Sequence, residues 1–91
     1  MFLFYAIHYP HPEKAELLIQ RMHEFGEQIK KQPGIVLVNT FRDPEEGTLI
    51  ALIIWESREA FEVAWPVLAK DAPPEDLEIK PREVHLLPSA M

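Results

Sequence analysis

Thr48-Leu49-Ile50-Ala51-Leu52-Ile53-Ile54-Trp55-Glu56 carries seven consecutive apolar residues between polar ends. Branched and aromatic side chains in a run this short predict a β-strand rather than a helix. Its two side-chain sets are Leu49, Ala51, Ile53, Trp55 and Ile50, Leu52, Ile54, so neither face is left for water. Such a strand belongs inside a sheet packed on both sides. Upstream, Asp43-Pro44-Glu45-Glu46-Gly47 reads as a turn and Ile35 to Arg42 as the strand before it, which makes a hairpin. Pairing of Asp43 with Thr48 sets Asn39 opposite Leu52 and Trp55 on the other face. A one-residue change in the loop reverses this.

Residues 2 to 9 form another strand predicted from aromatic and branched content, bounded by Pro10. Between the two strands a helix is expected from about 12 to 31. Pro12 suits its first turn, Glu13 and Glu16 its positive end, Lys30 and Lys31 its negative end. Leu18, Met22, Phe25 and Ile29 supply its apolar stripe, Glu27 and Lys31 an i,i+4 pair, and Gln32-Pro33-Gly34 its stop. Downstream, Ser57 is a candidate N-cap for a second helix with Phe61, Ala64, Trp65 and Leu68 on its buried face. Pro66 predicts a kink or a fresh start there. Asp71 to Pro81 reads as an ordered loop with solvated acids, Arg82 to Leu87 as a last strand, and Pro88 to Met91 as a tail.

The order β, α, β, β, α, β with right-handed crossovers gives a four-stranded antiparallel sheet in the order 4-1-3-2, with both helices on one side. This is the ferredoxin-like α+β arrangement, expected as one domain over residues 1–91. One helical layer covers one face only. The other face, apolar too, predicts a homodimer through the sheet faces.

The chain has 91 residues, 47% hydrophobic, with nine Lys and Arg against fifteen Asp and Glu. The net charge of −6 and the absence of any basic run longer than Lys30-Lys31 argue against nucleic acid as a partner. No cysteine is present, which excludes thiol catalysis and cysteine-ligated zinc. The opening stretch has no basic leader and stops at Pro10, far short of the roughly 20 residues that span a bilayer, which predicts a cytoplasmic protein without membrane contact. Glycines at 26, 34 and 47 make no phosphate loop. No nucleophile-elbow context is found either.

Strand, helix, Gln32-Pro33-Gly34, strand, turn, Trp55-Glu56-Ser57-Arg58-Glu59-Ala60-Phe61, helix, strand: this frame resembles the antibiotic biosynthesis monooxygenase family of dimeric α+β barrels over essentially the whole chain. The resemblance implies a homodimer with sheets facing each other. In that family some members oxidise polycyclic quinols with dioxygen and neither metal nor flavin, while others bind or degrade haem. Many relatives carry a histidine on the second helix where this chain has Trp65. The haem-degrading pattern fits poorly, because Ala6 stands near the expected asparagine and no histidine lies between His23 and His85.

Four histidines, His8, His11, His23 and His85, show no metal-ligand spacing on one helix, so no metal is expected; that no other cofactor is needed is what the resemblance implies. His8, at a strand end, is a candidate base or else a histidine tied to a loop carbonyl; Tyr9 is the alternative base or hydrogen-bond partner. His85 carries the same two readings, and His11 and His23 are expected in solvent. Asn39, the only asparagine, interrupts an apolar strand and is a candidate donor to a ligand or a backbone tie. Tyr5, Trp55 and Trp65 are candidate walls of a planar pocket or plain core. Arg42 is a candidate partner for a substrate oxygen, with Glu45 and Glu46 as the nearer partners. The leading expectation is a cofactor-independent monooxygenase-like protein acting on a planar aromatic or quinol-type small molecule, against a non-catalytic dimeric module binding a small ligand.

Overall fold

A computed structural model describes residues 1–90. Strands β1 (Phe2–His8), β2 (Ile35–Arg42), β3 (Leu49–Trp55) and β4 (Glu83–Pro88) form one antiparallel sheet in the order β2-β3-β1-β4. Helices α1 (Ala15–Ile29) and α2 (Arg58–Leu68) lie on one face. The ferredoxin-like order read from the crossovers is therefore the observed one, with β3 and β1 inside.

Register settles which residues share a face. Asp43 N–H donates to Thr48 O at 2.9 Å, and Asn39 pairs with Leu52. Asp43 also caps its own turn, its Oδ1 accepting from Glu45 and Glu46 N–H at 2.9 and 3.2 Å. With this loop length, Phe2, Phe4, Ala6, Leu49, Ile53 and Trp55 are buried beneath the helices with Leu18, Met22, Phe25, Ile29, Phe61, Ala64 and Leu68. The opposite face carries Leu3, Tyr5, Ile7, Ile50, Leu52 and Ile54, all only partly buried, and the more open Leu37, Phe41 and Leu87.

Gly34 holds the junction between α1 and β2. Its φ of +85° is one that L side chains rarely adopt, and a Cβ there would lie 2.6 Å from the Ala60 Cβ. Its carbonyl accepts Glu56 N–H at 2.7 Å, so the end of α1 is tied to the start of α2 through one glycine.

Local departures from the expected elements have simple causes. The first helix opens as a separate 3₁₀ turn over Pro12–Lys14, because Lys14 leaves helical geometry (φ −113°, ψ 3°). It closes at Ile29, and Lys30 rather than Lys31 reaches Glu27, at 3.1 Å. Ser57 caps α2 as expected, its Oγ accepting Ala60 N–H at 3.1 Å. The helix neither stops nor restarts at Pro66 but continues to Leu68. Pro66 lacks the N–H that would bond the Glu62 carbonyl, and Glu62 is exposed, so water can serve that carbonyl. Arg42 pairs with Glu16 of α1 at 2.6 Å instead of its hairpin neighbours. Pro88 ends β4 rather than opening the tail, and Met91 lies outside the described residues.

Candidate functional site

The site lies at the end of the helix-covered face where β1 finishes. His8 continues the inward set of β1, pairs with Leu49 across β3, and is only 4% exposed. A buried imidazole needs a partner. It finds one 70 residues away, in the loop expected to be solvated: His8 Nδ1 lies 3.2 Å from Glu78 Oε2.

Backbone pairing puts Glu78 there. His11 N–H donates to Leu77 O at 3.0 Å and Ile79 N–H to Tyr9 O at 2.8 Å, so residues 77–79 run as a short antiparallel bridge beside 9–11. Leu77 on one side of Glu78 is buried in the core beside Leu18, Met22 and Leu49. The expectation that all acids of 71 to 78 face solvent is thus corrected at Glu78, whose side chain is 1% exposed.

The Glu78 carboxylate has three partners among the described residues. Oε1 accepts Tyr9 N–H at 3.0 Å; Oε2 faces both His8 and the Arg82 guanidinium, 2.6 Å away. Burial pushes the Glu78 carboxyl up, but the His8 ring, the Tyr9 N–H and the nearby positive charge together outweigh burial and hold it below the ordinary value. Arg82 also donates to Pro73 O at 2.9 Å, while its Nε is buried with no partner among the described residues.

Beside this cluster is an apolar cavity of about 80 Å³ between helices and sheet. Phe4, Phe25, Ile53 and Trp65 form its apolar walls, Gly26 and Val38 its α1–β2 side, and His8 and Arg82 its polar end. Aromatic packing holds the walls: Trp65 meets Phe4 at 4.9 Å and stacks on Phe61 at 5.5 Å. A more polar depression shares Gly26, Val38, Asn39 and Thr40 with the cavity and adds His23, Glu27 and Lys30.

The structure brings together only part of the set expected from sequence. His8 and Trp65 line the cavity. Asn39 contributes to its rim, but register sets it on the helix-free face, exposed, with its Oδ1 accepting Thr40 N–H at 2.9 Å. Tyr9 points elsewhere: its hydroxyl donates to Glu83 at 2.5 Å under Lys80, and that hydrogen bond, with some loss of hydration and the Glu83 charge, raises the phenol above its ordinary value. A phenol held protonated is a poor base. Tyr5 lies on the helix-free face, stacked on His85 at 4.6 Å. Trp55 is fully buried at the far end of β3 against Phe61, with its Nε1 unpartnered among the described residues. His85 stacks on Tyr5 and faces Glu83 at 3.9 Å, with no hydrogen bond to a loop carbonyl among the described residues; His23 is exposed as expected, whereas His11 is half-buried. Glu78 and Arg82 were missed; the only sequence signal for them is a segment kept rigid by Pro73, Pro74 and Pro81.

The family model of the antibiotic biosynthesis monooxygenases matches residues 1–64, which include β1 to β3 and the first half of α2. The chain belongs to the antibiotic biosynthesis monooxygenase family. Solved structures agree on the fold. An antibiotic biosynthesis monooxygenase superposes with a TM-score of 0.80 at 16% identity, covering 100% of both chains. Rv0793 from Mycobacterium tuberculosis gives 0.81 at 15% identity, covering 99% of this chain and 95% of its own. SnoaB from Streptomyces nogalater, a cofactor-independent oxygenase solved as an asparagine-to-alanine variant, gives 0.71 at 21% identity over 99% and 93%. At these identities the likeness is one of fold. No curated protein matches in sequence. Among the described residues no group of three or more His, Asp or Glu is placed to hold a metal ion, and no helix is long and apolar enough to cross a membrane.

Proposed function

We propose that this family member is a cofactor-independent monooxygenase-like protein acting on a planar aromatic or quinol-type small molecule. The observation that carries the reading is the apolar, aromatic-walled cavity with a single imidazole at its polar end. In a dry site an electron-rich phenolate can reduce dioxygen itself. Conversion of a ring CH₂ to C=O by O₂ with release of one water balances without another reductant. The protein's share is to take the hydroxyl proton and hold the ring. His8 suits the first task and Trp65, Phe4 and Phe25 the second. The likeness in fold to a cofactor-independent oxygenase supports the same reading.

Size limits the pose. About 80 Å³ is less than the roughly 150 Å³ that receives benzene in an engineered cavity. A fused-ring ligand therefore leaves rings at the mouth or displaces Trp65, the half-buried wall. We also propose that the active form is a homodimer through the helix-free face, whose apolar residues are more than a monomer ordinarily leaves open. Sedimentation showing a monomer at micromolar concentration would remove that part.

The second reading, a small-ligand-binding module without turnover, is favoured by Asn39, the expected side-chain donor, which reaches only the cavity rim from the helix-free face and whose Oδ1 is taken by Thr40 N–H. Oxygen uptake measured on a panel of hydroxyanthrones and quinols, with no flavin, nicotinamide or metal added, decides between them. Uptake is expected; ligand binding without uptake across the panel selects the binding module.

A further inference from the structure

His8 has two ring nitrogens and only one is engaged. Nδ1 faces Glu78, while Nε2 has no protein partner among the described residues and His8 forms part of the cavity wall. Glu78 carries its own restraints. Its Oε1 is held by Tyr9 N–H and its Oε2 by Arg82, so it cannot turn away from His8 without breaking two further contacts. Held ionised by these partners, the carboxylate can only accept. The Nδ1 of a neutral His8 must then carry the ring's proton, and the Nε2 lone pair is left toward the cavity.

We propose that Glu78 is the positioning residue for His8: it fixes the ring in the Nδ1–H tautomer and so makes Nε2 the cavity's proton acceptor, with Arg82 keeping Glu78 in place. The step assigned to the dyad is a single proton transfer. An acidic hydroxyl of the ligand, phenolic or enolic, gives its proton to Nε2 and leaves as the anion; the imidazolium so formed is stabilised by the Glu78 carboxylate at Nδ1. The ligand class that this recognises is a small aromatic or conjugated molecule with one ionisable hydroxyl at the edge of an otherwise apolar ring. This assignment rests on the cavity being a reaction or binding site for such a molecule, as proposed above. The charged and titratable groups facing His8 are Glu78 from the bridge segment and Arg82 before β4. Across β3 its partner is the apolar Leu49.

The test is the tautomer itself. Protein labelled with ¹⁵N-histidine shows, in two-bond ¹H–¹⁵N correlations at a pH where the rings are neutral, which nitrogen of each ring carries the proton; His8 is assigned by its loss in His8→Gln. The wild type is expected to show His8 as the Nδ1–H form. Glu78→Gln is expected to move the population at least tenfold toward Nε2–H, and Arg82→Lys, which keeps the cation, to leave it as in the wild type. An Nε2–H ring in the wild type, or an unchanged tautomer in folded Glu78→Gln, overturns the proposal. Should Glu78→Gln not fold, the wild-type spectrum decides alone.

Oxygen uptake separates this from the functional reading. A fixed Nδ1–H ring without uptake retires the monooxygenase reading and leaves the dyad standing; uptake by a protein whose His8 is Nε2–H does the reverse. Where both hold, Glu78→Gln lowers kcat at least about tenfold with little change in KM, because a general base acts in the transition state rather than in binding.

Discussion

The two ends of the helix-covered sheet face are built from the same alternation and finish in opposite chemistry. At one end Phe2 and Trp55 pair across β1 and β3 and pack on Phe61, with rings 5.3 and 6.0 Å from it. At the other the same inward positions hold His8 and Leu49, and the cover is shared between α1, through Leu18 and Met22, and the 77–79 segment carrying Glu78. One end is stabilised by buried area alone. The other buries an imidazole, a carboxylate and a guanidinium, each dependent on the rest. A strand whose inward set ends in a polar residue thus needs a partner from elsewhere in the chain, and that need creates the site.

The largest effect is expected at the apolar end. Trp55→Ala removes a side chain with no exposed surface and leaves a cavity that Phe61 cannot fill from a fixed helix, so urea unfolding at fixed protein concentration should show a loss of about 4 kcal/mol. A loss below about 1 kcal/mol would mean that this end repacks freely and that the contrast between the ends is false.

At the polar end Glu78→Ala should cost about 3 kcal/mol, since it strands His8, Arg82 and the Tyr9 N–H together. The cost comes from groups left buried without partners, not from the attraction between the charges. Replacement of Glu78 by Ala with a loss under about 1 kcal/mol would show that water reaches all three and that this end is not closed.

Acid distinguishes the ends without mutation. The Glu78 carboxyl lies below the ordinary glutamate value of 4.5 in the folded chain. Its contribution to stability is therefore complete above that ordinary value and is lost as pH falls through the lower, folded one. Wild-type stability should drop over this acid range by more than that of Glu78→Ala, while Trp55→Ala should follow the wild-type slope. Equal slopes in wild type and Glu78→Ala would show that Glu78 does not titrate with folding.

The outline of this fold was legible because it depends on neighbours in sequence. The apolar run of β3, the Asp43 to Gly47 turn and the Ser57 cap each act within a few residues, and together they set sheet order and register. The face of Asn39 followed from one loop length, once Asp43 paired with Thr48. Half of the site was not legible for the same reason. Glu78 stands among Glu75 and Asp76 and resembles them in composition; only a bridge to residues 9–11 turns it inward. Aromatic content misled similarly, since Tyr5, Trp55 and Trp65 share a chemistry but lie on the helix-free face, at the dry end and at the cavity.

The smallest effect tests whether burial, rather than hydrogen bonding as such, separates the two ends. Ser57, just past Trp55, accepts Ala60 N–H at 3.1 Å as Glu78 accepts Tyr9 N–H at 3.0 Å. The acceptors are comparable in length, yet Ser57 is half-buried at a helix start where water can replace it, whereas Glu78 is sealed beneath the loop. Ser57→Ala should therefore cost about 1 kcal/mol, the usual worth of an N-cap, with α2 intact by circular dichroism. If Ser57→Ala costs as much as Glu78→Ala, a single backbone acceptor explains both losses, and the charged cluster adds nothing that the apolar end lacks.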